Sequence, residues 1–248
     1  MKHRLLRALM PLGVYPHINF TYSPFKILEY EAMLEWLPPA GRGTALDIGC
    51  GDGIHTMLLG RRFEKMCGVD VNEQFIAIAR GHAEAFGKRA NLEFFSQPVE
   101  RIGFPADTFD VVLSVCVMEH IPNHEEVLGE CLRILKPGGR ILFSVDTLET
   151  IADPALIESH RQQHHVVRYF RQDTLGELLT SKGYDNLEFR TLFRSDLARE
   201  LFVEGIRNGF NFGRLRAPRL ADRLRRAEAA VPPDAPGIFL LARGERPR

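Results

Sequence analysis

The chain has 248 residues, 45% apolar and 26% charged, and its 32 basic residues balance its 32 acidic ones. That length suits one α/β domain with additions, and zero formal charge removes the overall electrostatic ground for a nucleic-acid partner. The four cysteines, Cys50, Cys67, Cys116 and Cys131, show neither CxxC pairs nor zinc-ligand spacing, so a reduced, cytoplasmic chain is expected and not a disulfide framework.

No apolar run reaches the roughly 18 to 20 residues of a membrane-spanning helix. Residues 1–10 are basic and partly apolar, but Arg4 and Arg7 interrupt them, and the uninterrupted core and cleavage site of a secretory signal are missing. They read as an amphipathic surface helix, with membrane-surface contact as the sharper alternative.

Ser23-Pro24 opens the next helical pattern as N-cap and first helical residue, and Pro38-Pro39 stops it. Residues 1–40 are thus expected to form an N-terminal helical segment ahead of a main domain at 41–248. Strand and helix signals then alternate. Strands are predicted at Thr44–Ile48, 66–71, Leu92–Phe95, 109–117 and 140–145. Helices are predicted at 54–63, from Asn72 to a stop at Gly87, and at 124–135 before Lys136-Pro137-Gly138-Gly139. Such alternation predicts a mainly parallel sheet covered on both faces. Beyond it, Asp173 is expected to cap a helix ending at Lys182-Gly183, and strands are expected at 187–193 and 237–242. Helical patterns at Asp196–Asn208 and 217–229 fall where a hairpin would be enough, and they read as a cap inserted at about 196–232.

The turn Gly49-Cys50-Gly51-Asp52-Gly53 follows the first predicted strand and precedes a helix. Glycines there let a ligand approach the backbone, and the helix start offers free N–H donors. A dinucleotide fingerprint, G-x-G-x-x-G, requires glycine at position 54, where Ile54 stands. Asp47, just before the turn, suits a cationic ligand and would repel a pyrophosphate. Asp70, at the end of the second strand, is placed to accept both hydroxyls of a ribose.

On these residues the chain resembles the class I S-adenosylmethionine-dependent methyltransferases. Residues 46–53 resemble the family's first motif, a hydrophobic residue and then D/E-x-G-x-G-x-G. Residues 68–72 resemble its acidic second segment, 109–113 its fourth-strand motif, and 135–140 the turn before strand five. The resemblance implies a Rossmann-like, doubly wound, seven-stranded and mostly parallel sheet with an antiparallel last strand, and S-adenosyl-L-methionine as cofactor. It places Asp47, Gly49 and Gly51 at the methionine end, Cys50 among the cofactor-binding residues of the same turn, Asp70 on the ribose and Val71 beside the adenine. Gln97, or the backbone of Pro98 and Val99, takes the adenine amino group in place of the family's usual aspartate, and Cys116 sits near the sulfonium.

Methyl transfer from a sulfonium needs placement and sometimes a base. His120, just past strand four in Met118-Glu119-His120-Ile121-Pro122, is the candidate base, with Glu119 as its neighbour. The segment resembles that of ubiquinone-type O-methyltransferases, in some of which the Glu-His pair binds a divalent cation. Two ligands do not make a site, and His160 with His164, one turn apart, lacks a third; no metal is expected. Past strand five, His165 and Arg168 are the substrate-contact candidates, while His82 reads as a helix-surface residue. The expected acceptor is a small molecule methylated on oxygen, for which an anionic or lipid-like one remains open. Seven arginines against one acid, Asp222, at positions 207–226 read as a solvated helix face, an anion clamp or a membrane-surface contact. An inactive nucleoside-binding subunit is the alternative function; a nicotinamide dehydrogenase is disfavoured by Asp47 and Ile54.

Overall fold

The strands form where the apolar runs lie. The computed structural model describes residues 23–39, 42–85, 91–213 and 215–248, and its strands are β1 (Thr44–Ile48), β2 (Lys65–Val69), β3 (Leu92–Phe95), β4 (Phe109–Val115), β5 (Leu135–Asp146), β6 (Asp185–Leu192) and β7 (Phe239–Glu245). They make one seven-stranded sheet in the order β3-β2-β1-β4-β5-β7-β6. The first five run parallel, and β7 pairs antiparallel with both β5 and β6. β1 and β2 are buried along nearly their whole length, as strands covered on both faces must be. The connections leaving β1 and β4 diverge to opposite sides, which opens a crevice at the carboxyl ends of these two neighbours.

The helices in chain order are α1 (Pro24–Trp36), α2 (Ile54–Leu59), α3 (Glu73–Ala85), α4 (Val99–Ile102), α5 (His124–Ile134), α6 (Pro154–His164), α7 (Gln172–Ser181), α8 (Asp196–Asn208) and α9 (Arg216–Ala229). Several boundaries differ from the sequence reading for local reasons. The predicted helix at 54–63 is α2 followed by a tighter 3₁₀ turn, Gly60–Arg62, closed by Phe63 N–H to Gly60 C=O at 3.3 Å. Ser23 sits at the N-cap of α1 without donating or accepting a side-chain cap bond. Arg171, not Asp173, is the N-cap of α7; Asp173 lies in the first turn, where its carboxylate accepts from Thr174 N–H at 2.7 Å and faces the positive helix end. Lys136 to Gly139 bulge out of β5, because Phe109 pairs Leu135 and Val111 pairs Arg140. α6, absent from the predicted elements, starts at the Asp153 cap with Pro154 in its first turn. Gly87 and residues 1–10 lie outside the described residues.

α8 and α9 stand between β6 and β7, and α9 packs against α1 through Arg225, whose guanidinium meets Glu31 at 2.9 Å. The joint is aromatic: Phe25 of α1 contacts Phe193 at 4.8 Å and Phe202 at 5.7 Å between ring centroids, both edge to face. Of the basic stretch, Arg216 pairs with Glu204 and Arg225 also with Asp222, whereas Arg219, Arg223 and Arg226 are exposed and Arg214 is outside the described residues. No described helix is long and apolar enough to cross a membrane.

Phe193 is buried in that joint and contacts Phe239 as well, at 5.0 Å. Phe193→Ala is expected to lower the unfolding free energy by about 3–5 kcal/mol, read from denaturant titration; a change under about 1 kcal/mol would show that the insertion is not held by this cluster.

Candidate active site

The turn after β1 is set by what stands behind it. The amides of Gly49 and Cys50 both donate to Val69 C=O, at 2.8 and 3.0 Å. Gly49 has φ +70, and a Cβ there would lie 2.4 Å from both Val117 methyl groups, so glycine alone fits. Gly51 has φ +52 and faces open space, with nothing within 4 Å of where its Cβ would be. Its amide donates to Asp70 Oδ2 at 2.9 Å, and Asn72 N–H donates to Asp70 Oδ1 at 2.8 Å. Each carboxylate oxygen thus keeps a lone pair for a further donor. Asp47 is buried and accepts from Thr56 Oγ1 at 2.6 Å; burial pushes its carboxyl up to about 7. His82, read from the sequence as a surface residue, is buried, and its Nδ1 meets Asp52 C=O at 3.0 Å. It braces the turn from α3.

Two cavities open at the carboxyl edge of the sheet. The first, about 330 Å³, is lined by Gly49, Asp70, Val71, Gln97, Pro98, Val99 and His120, with Glu100, Ile121, Pro122 and Asn123 closing it. Its size is that of a small-molecule site. The second, about 240 Å³, has Phe25, Phe202, Phe210 and Phe239 as walls and Lys26, Cys116, Asp146, His160 and His164 as polar groups, and His120 lines it as well. His120 therefore borders both. It ends the short 3₁₀ turn Met118–His120, and its Nδ1 faces His165 C=O at 3.4 Å. A carbonyl can only accept, so in that contact Nδ1 carries the proton. Burial holds its pKa below the ordinary 6.5, so the imidazole is neutral at neutral pH.

The remaining sequence candidates fall around these cavities. Asp47, Cys50 and Gly51 support the turn and do not line the first cavity. Cys116 lines the second, with φ +50 and its thiol 2.9 Å from Glu29 Oε1. Glu29 is itself buried, paired with Lys26 at 2.7 Å and accepting from Ser144 Oγ at 2.5 Å. Glu119 is fully buried, and its backbone carbonyl accepts from Val167 and Arg168 at 2.8 and 3.2 Å. His165 is exposed and Arg168 contacts His124 Nε2 at 3.0 Å; neither lines these two cavities, whereas the helix-face pair His160 and His164 lines the second. Glu100, Lys26, Asp146, Phe202, Phe210 and Phe239 were not singled out from the sequence as lining residues. Only Asp146, at the carboxyl end of β5, had a legible signal, the sheet edge itself.

The family model described as a methyltransferase domain matches residues 46–143. The ubiquinone biosynthesis O-methyltransferase of Coxiella burnetii (strain RSA 493 / Nine Mile phase I) is 32% identical over 99 residues, 40% of this chain and 42% of that protein. The aligned part thus spans less than half of that relative. Among solved structures, the YcgJ protein from Bacillus subtilis superposes with a TM-score of 0.65 at 17% identity, covering 89% of this chain and 98% of that one. Haemonchus contortus phosphoethanolamine N-methyltransferase 2, in complex with phosphomonomethylethanolamine and S-adenosylhomocysteine, gives 0.64 at 20% identity, covering 89% and 52%. The match to a methyltransferase domain covers β1 to β5 of the sheet, and the solved structures share the fold. The open face at Gly51 and the spare lone pairs of Asp70 fit a nucleoside with a cationic tail, and the 4 Å of free space over Gly51 is the observation that admits its backbone approach.

Asp70→Ala is expected to weaken S-adenosylhomocysteine binding by about 10- to 100-fold, the worth of one or two charge-assisted hydrogen bonds. Isothermal calorimetry checks it; affinity within threefold of the parent protein would remove Asp70 from the ribose.

Proposed function

We propose that the protein transfers the methyl group of S-adenosylmethionine to an oxygen of a small-molecule acceptor. The observation that carries this reading is the position of His120 on both cavities. The methionine end of the cofactor is assigned to Asp47, Gly49, Cys50 and Gly51, the ribose to Asp70, and the adenine to Val71, Gln97, Pro98 and Val99. The acceptor occupies the phenylalanine-walled cavity, with Cys116 near the sulfonium. The sulfonium supplies an electrophilic methyl carbon with a neutral thioether as leaving group, so the chain must orient the acceptor oxygen and remove its proton. His120 Nε2, freed by the Nδ1 contact with His165 C=O, takes that proton. The part of His165 in this arrangement is its carbonyl, which fixes the tautomer; Glu119 holds the adjoining loop through its own carbonyl.

The similarity to an O-methyltransferase supports oxygen, as does a neutral base beside the cavity. The walls of Phe25, Phe202 and Phe210 exclude water and favour an acceptor with an apolar or aromatic body.

His120→Ala is expected to reduce kcat about 10²- to 10⁴-fold, the usual range for a lost general base, with S-adenosylhomocysteine affinity changed by less than tenfold. The pH dependence has a defined sign. Burial lowers the His120 pKa, so the base is already free at pH 6.5. kcat/KM should therefore rise with pH through a midpoint below 6.5 and level off above it. A midpoint at or above pH 6.5, or an alanine variant of parental kcat, would overturn the base assignment.

A further inference from the structure

The outward face of the α8–α9 insertion carries charge that the fold does not use. Arg216 of α9 pairs with Glu204, and Arg225 pairs with Glu31 and Asp222. The other acid of α9, Glu228, turns inward, where it meets the Arg194 guanidinium at 3.3 Å and accepts from the Ser195 amide at 2.9 Å. Arg219, Arg223 and Arg226 are left exposed, with no ion pair among the described residues.

These three share one stripe with Leu215. At about 3.6 residues per turn, positions 215, 219, 223 and 226 fall within about 80° around the helix axis. The buried Ala217, Leu220, Ala221 and Leu224 occupy the opposite side. Leu215, at the N-terminal end of the stripe, is 82% exposed, more than any other large apolar side chain among the described residues.

Local electrostatics opposes this arrangement. The first turn of α9 holds no acid, although the positive end of a helix favours one and repels a cation. Arg219 and Arg223, about one turn apart, also repel each other. An anionic surface laid along the stripe offsets both effects, and Leu215 adds an apolar contact beneath the charged plane. Nucleic acid is the other polyanion that three arginines could meet. The stripe offers it no aromatic side chain on which to stack a base, and a leucine gains nothing against hydrated phosphates. A bilayer surface uses both the arginines and the leucine.

We infer that Leu215, Arg219, Arg223 and Arg226 dock the protein on the surface of an anionic bilayer, with α9 lying along the plane of the lipid head groups. Phe202 and Phe210, which wall the second cavity, belong to the same insertion, so docking brings the element that carries them to the lipid. Uptake of an apolar acceptor there rests on the methyl-transfer reading; the docking itself does not.

The full-length protein is sedimented with vesicles of phosphatidylcholine alone or mixed with phosphatidylglycerol, at low and at high salt. Expected is binding to the mixed vesicles only, released by salt. Arg219→Gln, Arg223→Gln and Arg226→Gln should each weaken it about fivefold, and the triple variant about 100-fold. Leu215→Ala should weaken it about fivefold with the salt dependence kept. Thermal melting checks folding, and S-adenosylhomocysteine binding, which reports on the methyl-donor site separately, should be that of the parent protein because none of these residues lines either cavity. No binding to the mixed vesicles, equal binding to neutral ones, or binding undiminished in the triple variant, as for an anchor at residues 1–10, would each overturn the inference. So would a DNA or RNA duplex held more tightly than the mixed vesicles and released by the same substitutions.

Discussion

Gly49 pressed against Val117 is the contact on which the rest of the site depends. The turn after β1 and the turn after β4 meet there without room for a Cβ, since one would come within 2.4 Å of both valine methyls. That closeness carries the β1 turn past the end of β4, so that Gly51 reaches Asp70 on one side and the His120 turn begins on the other. A larger residue at position 49 would separate these parts by pushing the two turns apart, and the first cavity would lose its wall. Asp47 and Thr56, joined at 2.6 Å under the turn, and His82 behind it keep the same contact from relaxing.

The glycine turn, the acidic residue one βα unit later and the sheet order were legible in the sequence because each is local or follows from strand and helix alternation. The second cavity was not. Its lining comes from α1 through Phe25 and Lys26, β5 through Asp146, α6 through His160 and His164, α8 through Phe202, and β7 through Phe239. No short segment carries a pattern for a surface assembled from so many distant elements. His160 and His164 were readable as one helix face, since they are one turn apart, but what that face meets is a tertiary fact. Likewise the exposed position of His165 follows from the left-handed C-cap of α6, which nothing in its neighbours announced. Lys26 and Glu29 have helical spacing too, yet the burial of Glu29 depends on α9 holding α1 against β5.

Electrostatics divides the two cavities. The first presents Asp70 and Glu100 among apolar side chains, which suits a nucleoside that brings its own positive charge. The second gathers Lys26, Asp146 and neutral histidines behind phenylalanine walls, where low local dielectric strengthens each polar contact and penalises each missing one. His120 stands between them with a neutral ring, so it neither repels the sulfonium side nor competes for the buried acids. A fold of this kind serves many reactions, and His120 is the residue that borders both of these unlike cavities.

A crystal structure with S-adenosylhomocysteine bound tests that arrangement most directly. Expected is the ribose on Asp70, the adenine between Val71 and Gln97, and the sulfur at the junction bordered by His120, facing the phenylalanine-walled cavity. Density with the sulfur turned away from His120, or a nucleoside lodged among Phe25, Phe202 and Phe210 instead, would contradict it.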